Sequence, residues 1–201
     1  MTRRLATLIG IEVALALLIG AGLWFWFNPF GTSGQGDASV PIGGSFSLVN
    51  QDGHPVTQDS FAGKWMLVYF GYTFCPDACP LGLNTIAEAM DQLPSSLTDE
   101  IVPVLVTVDP ERDTPAVLKD YVGAFSPRLI GLTGTPDQVA SALKSWRVYA
   151  RKGELQPDGS YLVDHSTFTY LMAPDGKYAA HFSHDVTPEQ MAEKLRATVG
   201  G

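Results

Sequence analysis

The sequence is poor in cysteine, in basic residues and in methionine, and each shortage excludes a class of protein. Two cysteines in 201 residues are too few for a disulfide-built scaffold or a four-thiolate zinc site. Lys and Arg number 13 against 21 Asp and Glu, a formal net charge of −8, and no run of basic residues exceeds two. Binding to a nucleic-acid backbone needs clustered cations, so nucleic acid is excluded as a partner. The five methionines, one of them the initiator, are scattered and form no Met-rich metal motif. No internal repeat is visible. What is plentiful is apolar surface: 45% hydrophobic and 10% aromatic residues exclude a disordered chain and suit one folded core with a short appendage.

The appendage comes first. From Leu5 to Phe27 runs an apolar stretch whose only charge is Glu12, and about 20 such residues span a bilayer. The stretch exceeds the ~7–15-residue core of a signal peptide, and no small-x-small cleavage site follows closely, which predicts an uncleaved transmembrane anchor over 5–27. Glu12 sits in the first third of the run, where snorkelling softens a cost of ~3 kcal/mol. Arg3 and Arg4 place residues 1–4 on the cytoplasmic side, and Trp24 and Trp26 suit the opposite interface. Residues 28–41, with GTSGQGDAS, have the composition of a flexible linker. Beyond the anchor the chain carries 11 basic and 20 acidic residues, an acidic surface held outside a membrane. The short N-terminus without a transit-peptide pattern predicts the bacterial inner membrane, single-pass, with the C-terminal domain in the periplasm; the mitochondrial inner membrane is the alternative.

Residues 65–70 and 101–108 are near-continuous apolar and β-branched runs, the pattern of strands covered on both faces in a parallel sheet. Pro103 interrupts the second and clouds its start, because proline lacks a ladder donor. Between the runs Leu83, Ile86, Ala87 and Met90 share a helical face, with Pro80 in the first turn and Pro94 at the stop. A second helix carries Leu118, Tyr121, Val122 and Phe125, opened by Thr114-Pro115 and closed before Pro127. Thr135-Pro-Asp-Gln138 and Thr187-Pro-Glu-Gln190 each combine a capping box with proline at the first helical position. Segments 168–172 and 177–182, separated by Ala-Pro-Asp-Gly, form an antiparallel hairpin, and 147–152 with 161–163 form a further β excursion around Asp158-Gly159. This order predicts an α/β, thioredoxin-like domain over 42–199, a central mixed sheet flanked by helices, with an N-terminal extension and an insertion.

Both cysteines fall in Gly71-Tyr-Thr-Phe-Cys-Pro-Asp-Ala-Cys-Pro80, where the first strand ends and its helix begins. Amide N–H groups and the helix dipole there stabilise a thiolate. With three residues between them, Cys75 and Cys79 are i, i+4 neighbours on a helical turn, about 6 Å apart at Cα, so a disulfide is feasible and so is a shared metal. The plainer alternative, two buried thiols acting as small hydrophobes, fits poorly with two at one junction in an oxidising compartment. His165 in Val163-Asp-His-Ser-Thr-Phe168 stands at the start of the hairpin, on a loop that a thioredoxin-like sheet brings beside the cysteines. Two thiolates and one imidazole make a soft, low-coordinate site suited to Cu(I) and able to hold Cu(II), whereas a closed zinc site wants a fourth protein ligand. A loop histidine bonded to its neighbours is the competing reading of His165. Asp164 is a poor orienting partner for it, since adjacent residues on an extended chain point opposite ways. His181 and His184 have H-x-x-H spacing but fall at a strand end, and His54 reads as a turn residue.

The segments GYTFCPDACP, TVDPERDTP (107–115) and VDHSTFTYLMAPDGKY (163–178), with QDGHPVTQDSFAGKWMLVYFGYTFC leading into the first, resemble the signature segments of the Sco/SenC family, in order and at matching separations across residues 42–199. The resemblance implies a membrane-anchored, thioredoxin-like protein that binds copper through Cys75, Cys79 and His165. It further implies a metallochaperone that assembles the copper centre of cytochrome c oxidase, as copper donor or as thiol reductant of the target's cysteines. Its partners would then be the copper-bearing oxidase subunit and other copper chaperones.

Two other functions compete. A membrane-anchored thiol–disulfide oxidoreductase would use Cys75 and Cys79 as a redox-active pair. Against it, C-x-x-x-C replaces the C-x-x-C of redox thioredoxins, and Asp-His-Ser precedes the hairpin where those proteins place a proline. A thiol peroxidase ranks last, because its motif wants proline seven and Thr or Ser three residues before the cysteine, where this chain has Val68 and Tyr72. A copper carrier is therefore expected rather than a turnover enzyme.

Overall fold

The computed structural model describes residues 42–200. The expected anchor over 5–27 and linker over 28–41 lie outside the described residues. Among the described residues no helix is long and apolar enough to cross a membrane.

The domain is built on a mixed sheet. Strands β1 (Ser47–Asn50), β2 (Pro55–Thr57), β3 (Trp65–Gly71), β4 (Ile101–Thr107), β5 (Ile130–Thr133), β8 (Thr169–Met172) and β9 (Tyr178–Phe182) lie in the order β2-β1-β5-β4-β3-β8-β9. A separate antiparallel ribbon pairs β6 (Ala150–Lys152) with β7 (Val163–His165). The helices are α1 (Ala78–Asp91), the single turn α2 (Ser95–Thr98), α3 (Pro115–Gly123), α4 (Pro136–Ser145) and α5 (Pro188–Val199), with a 3-10 turn at Gln58–Phe61.

β3 and β4 are parallel neighbours in register from Trp65↔Ile101 to Gly71↔Thr107, and β4 runs parallel to β5. β8 pairs antiparallel with β3, and β1 antiparallel with β5. Successive side chains on β3 point to opposite faces. A Cβ at Gly82 of α1 would lie 3.1 Å from the Tyr69 ring, whereas Phe70 packs on Trp146 at the end of α4 with ring centroids 5.5 Å apart. Helices therefore cover both faces of the central strands, which explains their unbroken apolar sequence. On α1 the buried stripe is Cys79, Leu83, Ile86, Ala89 and Met90, and the helix packs along α5, where Met191, Ala192 and Leu195 are buried.

The expected strands, helices and hairpin are present, with instructive differences. Pro103 lies inside β4, opposite Leu67, but β5 joins β4 only from Val104, so proline occupies a position with a ladder partner on one side. Pro94 does more than stop α1: it caps the extra turn α2. α3 ends at Gly123, and Phe125 packs on Tyr121 from just beyond it, ring centroids 5.1 Å apart. The β excursion pairs Ala150 with His165, so His165 ends a strand instead of riding a loop. The β1–β2 hairpin is an addition that periodicity does not announce, its strands having four and three residues. Both expected capping boxes form, at Thr135/Gln138 and Thr187/Gln190.

α4 ends with Arg147 in the left-handed region at φ 54°, while the Val148 N–H reaches back to the Leu143 carbonyl. A residue with a Cβ is strained there, and the Arg147 side chain is exposed. Arg147→Gly is expected to raise the free energy of unfolding by about 0.5–1 kcal/mol, read from the shift of the urea midpoint at unchanged slope.

Candidate metal centre

The site forms where β3 gives way to α1. Gly71 closes the strand, Tyr72–Asp77 make the turn, and Cys79 is the second residue of the helix. Gly71 is required there: a Cβ would lie 2.9 Å from the Tyr69 ring and 3.0 Å from Cys79 Sγ. Cys79 is fully buried and Cys75 half-buried, and both are free thiols. The Cys75 N–H donates to the Tyr72 carbonyl (3.3 Å), curling the turn so that the Cys79 N–H points at Cys75 Sγ (3.4 Å).

His165 arrives from the ribbon. Its Nδ1 lies 2.9 Å from the Ser166 carbonyl, an acceptor only, so Nδ1 carries the ring proton and the Nε2 lone pair is free. Nε2 faces Cys79 Sγ at 3.4 Å. The three ligand atoms of Cys75, Cys79 and His165 all lie within 4.8 Å of one another, the one such His, Cys, Asp or Glu group among the described residues. Two donors bound at about 2.0–2.3 Å to one ion at a tetrahedral or trigonal angle stand roughly 3.5–3.8 Å apart, so the sulfur–nitrogen spacing suits a shared metal. The donor set, two sulfurs and one imidazole nitrogen, suits a soft monovalent ion.

Two tyrosines brace the histidine. The rings of Tyr69 and Tyr72 meet the imidazole edge-on, with centroids 6.4 and 5.7 Å away. The Tyr72 hydroxyl accepts the Val163 N–H at 3.1 Å, so the cysteine turn holds the strand that carries His165. The Tyr69 hydroxyl donates to the Ala78 carbonyl at 3.3 Å. Tyr69 falls in the apolar run over 65–70, where its polar tip leaves no trace, and Tyr72 lies just beyond that run.

Burial dominates the electrostatics. It pushes the Cys79 thiol far above its ordinary range and holds the His165 imidazole below its own. The free pair is thus a neutral thiol donating toward a neutral imidazole. Asp164 is exposed and faces away, as neighbours on a strand must. His181 is engaged with the Tyr178 hydroxyl on β9 and takes no part, and His54 donates its N–H to the Asn50 side chain in a turn.

A thioredoxin-like domain with a Cys–Cys–His group at the first strand–helix junction is a recognisable class. The sequence matches the SCO1/SenC family model over residues 34–200, and the chain belongs to that family. An SCO2-like protein of Rickettsia conorii is 40% identical over 200 residues, 95% of this chain and 97% of that protein. Among solved structures, copper-bound ScoI of Bradyrhizobium japonicum is 43% identical, with a TM-score of 0.72 over 78% of this chain and 99% of that one. BsSco, described as having a disulfide switch and as a member of the Sco family of cytochrome c oxidase assembly proteins, is 25% identical, with a TM-score of 0.63 over 80% of this chain and 96% of that one.

Tyr72→Phe leaves the buried Val163 N–H without its acceptor and is expected to cost about 1–3 kcal/mol in urea denaturation of the reduced protein. Tyr69→Phe removes a longer bond to a carbonyl in the first turn of α1 and should cost less. Equal costs would remove the special role of the Tyr72 hydroxyl.

Proposed function

We propose that the chain carries copper as cargo on Cys75, Cys79 and His165 and delivers it in the assembly of cytochrome c oxidase. The carrying observation is the convergence of three soft or borderline donors, from segments 86 residues apart, into one group. The copper-bound relative and the family's place in oxidase assembly support the same reading. Each residue has a part. His165 offers a lone pair already freed by its bond to Ser166; Cys79 supplies a buried sulfur fixed on the helix; Cys75 supplies the sulfur that solvent and a partner reach. Copper supplies no bond-making chemistry here, being the thing carried.

The same reading places an anchor over 5–27, a linker over 28–41 and the folded domain on the periplasmic side of a bacterial inner membrane, facing the copper-bearing oxidase subunit and other copper chaperones. The 23-residue apolar run behind two arginines supports it. A second reading, reduction of the target's cysteines by Cys75 and Cys79, is favoured by one observation: the two sulfurs are free and adjacent, with Cys75 half-exposed.

Anaerobic Cu(I) titration of the reduced, detergent-solubilised full chain against a competing chelator tests the proposal. One ion bound tightly per chain is expected, with His165→Ala weakening affinity by about 100-fold or more, roughly 3 kcal/mol, while Cys75 and Cys79 still form a disulfide. Unchanged affinity in His165→Ala would remove the histidine from the ligand set, and weak binding by the unaltered chain would leave the cysteines as a redox pair.

The pH dependence has a definite sign. Because burial keeps Cys79 protonated well into the alkaline range, Cu(I) must displace that proton, and affinity rises with pH. A slope of at least about tenfold per pH unit is expected between about pH 6 and 8. A flat profile would show that no thiol proton is displaced and that neither cysteine binds the ion as a thiolate.

A further inference from the structure

The turn that carries Cys75 has few backbone ties of its own, and its middle is fastened to a carboxylate that the ligand set does not explain. Asp113 lies between β4 and α3 and is fully buried. Its Oδ1 accepts the Thr73 hydroxyl at 2.6 Å, its Oδ2 accepts the Thr107 hydroxyl at 2.6 Å, and the Thr73 N–H reaches both oxygens at 3.3 and 3.2 Å. Thr107 is the last residue of β4, and its hydroxyl oxygen in turn accepts the Asp109 N–H at 2.9 Å. The nearest arginine in sequence, Arg112, pairs with Asp109, so Asp113 sits buried without a salt-bridge partner. Burial raises its pKa against the pull of the two threonines.

A buried carboxylate lacking a counter-cation is costly, and a side chain that merely filled the space would be cheaper. What a carboxylate alone provides is acceptor capacity without any donor, matched here to three donors. Two of the three belong to Thr73, two residues before Cys75. On the far side of Thr73, Phe74 is 56% exposed with the Arg112 guanidinium over its ring at 4.7 Å, and Cys75 is half-buried against the core. Among the described residues, the Thr73 clamp and the Cys79 N–H on Cys75 Sγ are the side-chain hydrogen bonds on that part of the turn.

We propose that Asp113 is a positioning residue for Cys75: by clamping Thr73 to the end of β4 it holds the Cys75 sulfur over the Cys79 N–H. It thereby sets both the metal affinity and the ease with which the two thiols pair. The metal half rests on the copper-carrying reading; the thiol half does not. Releasing the clamp frees the turn, lowers the effective concentration of one sulfur at the other, and weakens both properties together.

The test uses the detergent-solubilised full chain and two readouts. One is Cu(I) affinity by chelator competition. The other is the metal-free equilibrium with glutathione, in which Cys75 and Cys79 give up two electrons and two protons to oxidised glutathione, yielding the protein disulfide and two reduced glutathione molecules. Asp113→Ala is expected to lower both constants about tenfold with an unchanged far-ultraviolet dichroism spectrum. Thr73→Val, which loses one hydroxyl, should shift both the same way by less, and Thr73→Ser should restore the original values.

A folded Asp113→Ala protein with both constants within twofold of the original overturns the proposal, even if its melting temperature falls. Should Asp113→Ala fail to fold, the Thr73 pair decides, and identical constants for Val and Ser overturn it. If the unaltered chain binds no Cu(I) but Asp113→Ala still shifts the glutathione equilibrium, the copper reading fails and the positioning role stands. If Cu(I) binds normally and neither constant responds, the copper reading stands and the positioning role fails.

Discussion

The contact between Cys79 Sγ and His165 Nε2, 3.4 Å across 86 residues of chain, is the constraint around which the domain is arranged. Each partner is held from behind. Cys79 is locked in the first turn of α1 beneath Gly71, and His165 is locked by its own bond to the Ser166 carbonyl and by two tyrosine edges. With burial favouring the neutral form of each, the thiol and the imidazole satisfy each other in the metal-free protein. A thiolate or an imidazolium alone at this depth would be uncompensated. On the copper-carrying reading, the ion would take the place of the thiol proton between the two groups.

That arrangement sets the demands on the fold. β3 must be central, with a parallel neighbour to carry the Thr107–Asp113 clamp at its C-terminal end and an antiparallel neighbour on the other edge. Open parallel sheets concentrate ligand sites at the carboxyl ends of their strands, and here both Gly71 and Thr107 end there, in register. The insertion between α4 and β8 supplies the ribbon whose second strand delivers the histidine. Tyr72 joins the two halves: its ring supports the imidazole, and its hydroxyl holds the backbone of the same strand.

Much of this is legible in the sequence, for identifiable reasons. The buried strands β3 and β4 declare themselves as apolar runs, α1 by its 3.6-residue stripe, and α4 and α5 by capping boxes, because each signal is local. C-x-x-x-C at a strand–helix junction marks the metal or redox centre by the same local logic. His165 reads as a loop residue in the sequence but ends β7, because a three-residue strand in a short ribbon has too little sequence to show alternation. β1 and β2 escaped for the same reason. The Tyr72 hydroxyl and the Asp113–Thr73 clamp are silent, since their partners lie 91 and 40 residues away, and no period in a sequence records a hydrogen bond at that range.

The unequal exposure of the two sulfurs bears on how cargo leaves. The Cys79 sulfur, fully buried and facing His165, is closed to an incoming group. The Cys75 sulfur, half-buried on the turn, is open to one. Exchange between two proteins proceeds most easily one ligand at a time, with the incoming group bound before the last outgoing one departs. On the copper-carrying reading proposed above, Cys75 is the ligand that an incoming group meets first. The same asymmetry governs the thiols without metal, since attack on an external disulfide needs an accessible sulfur first and a resolving sulfur close behind it. Carrying an ion and handling a disulfide would thus draw on one arrangement, a half-buried sulfur on the turn beside a buried sulfur and an imidazole.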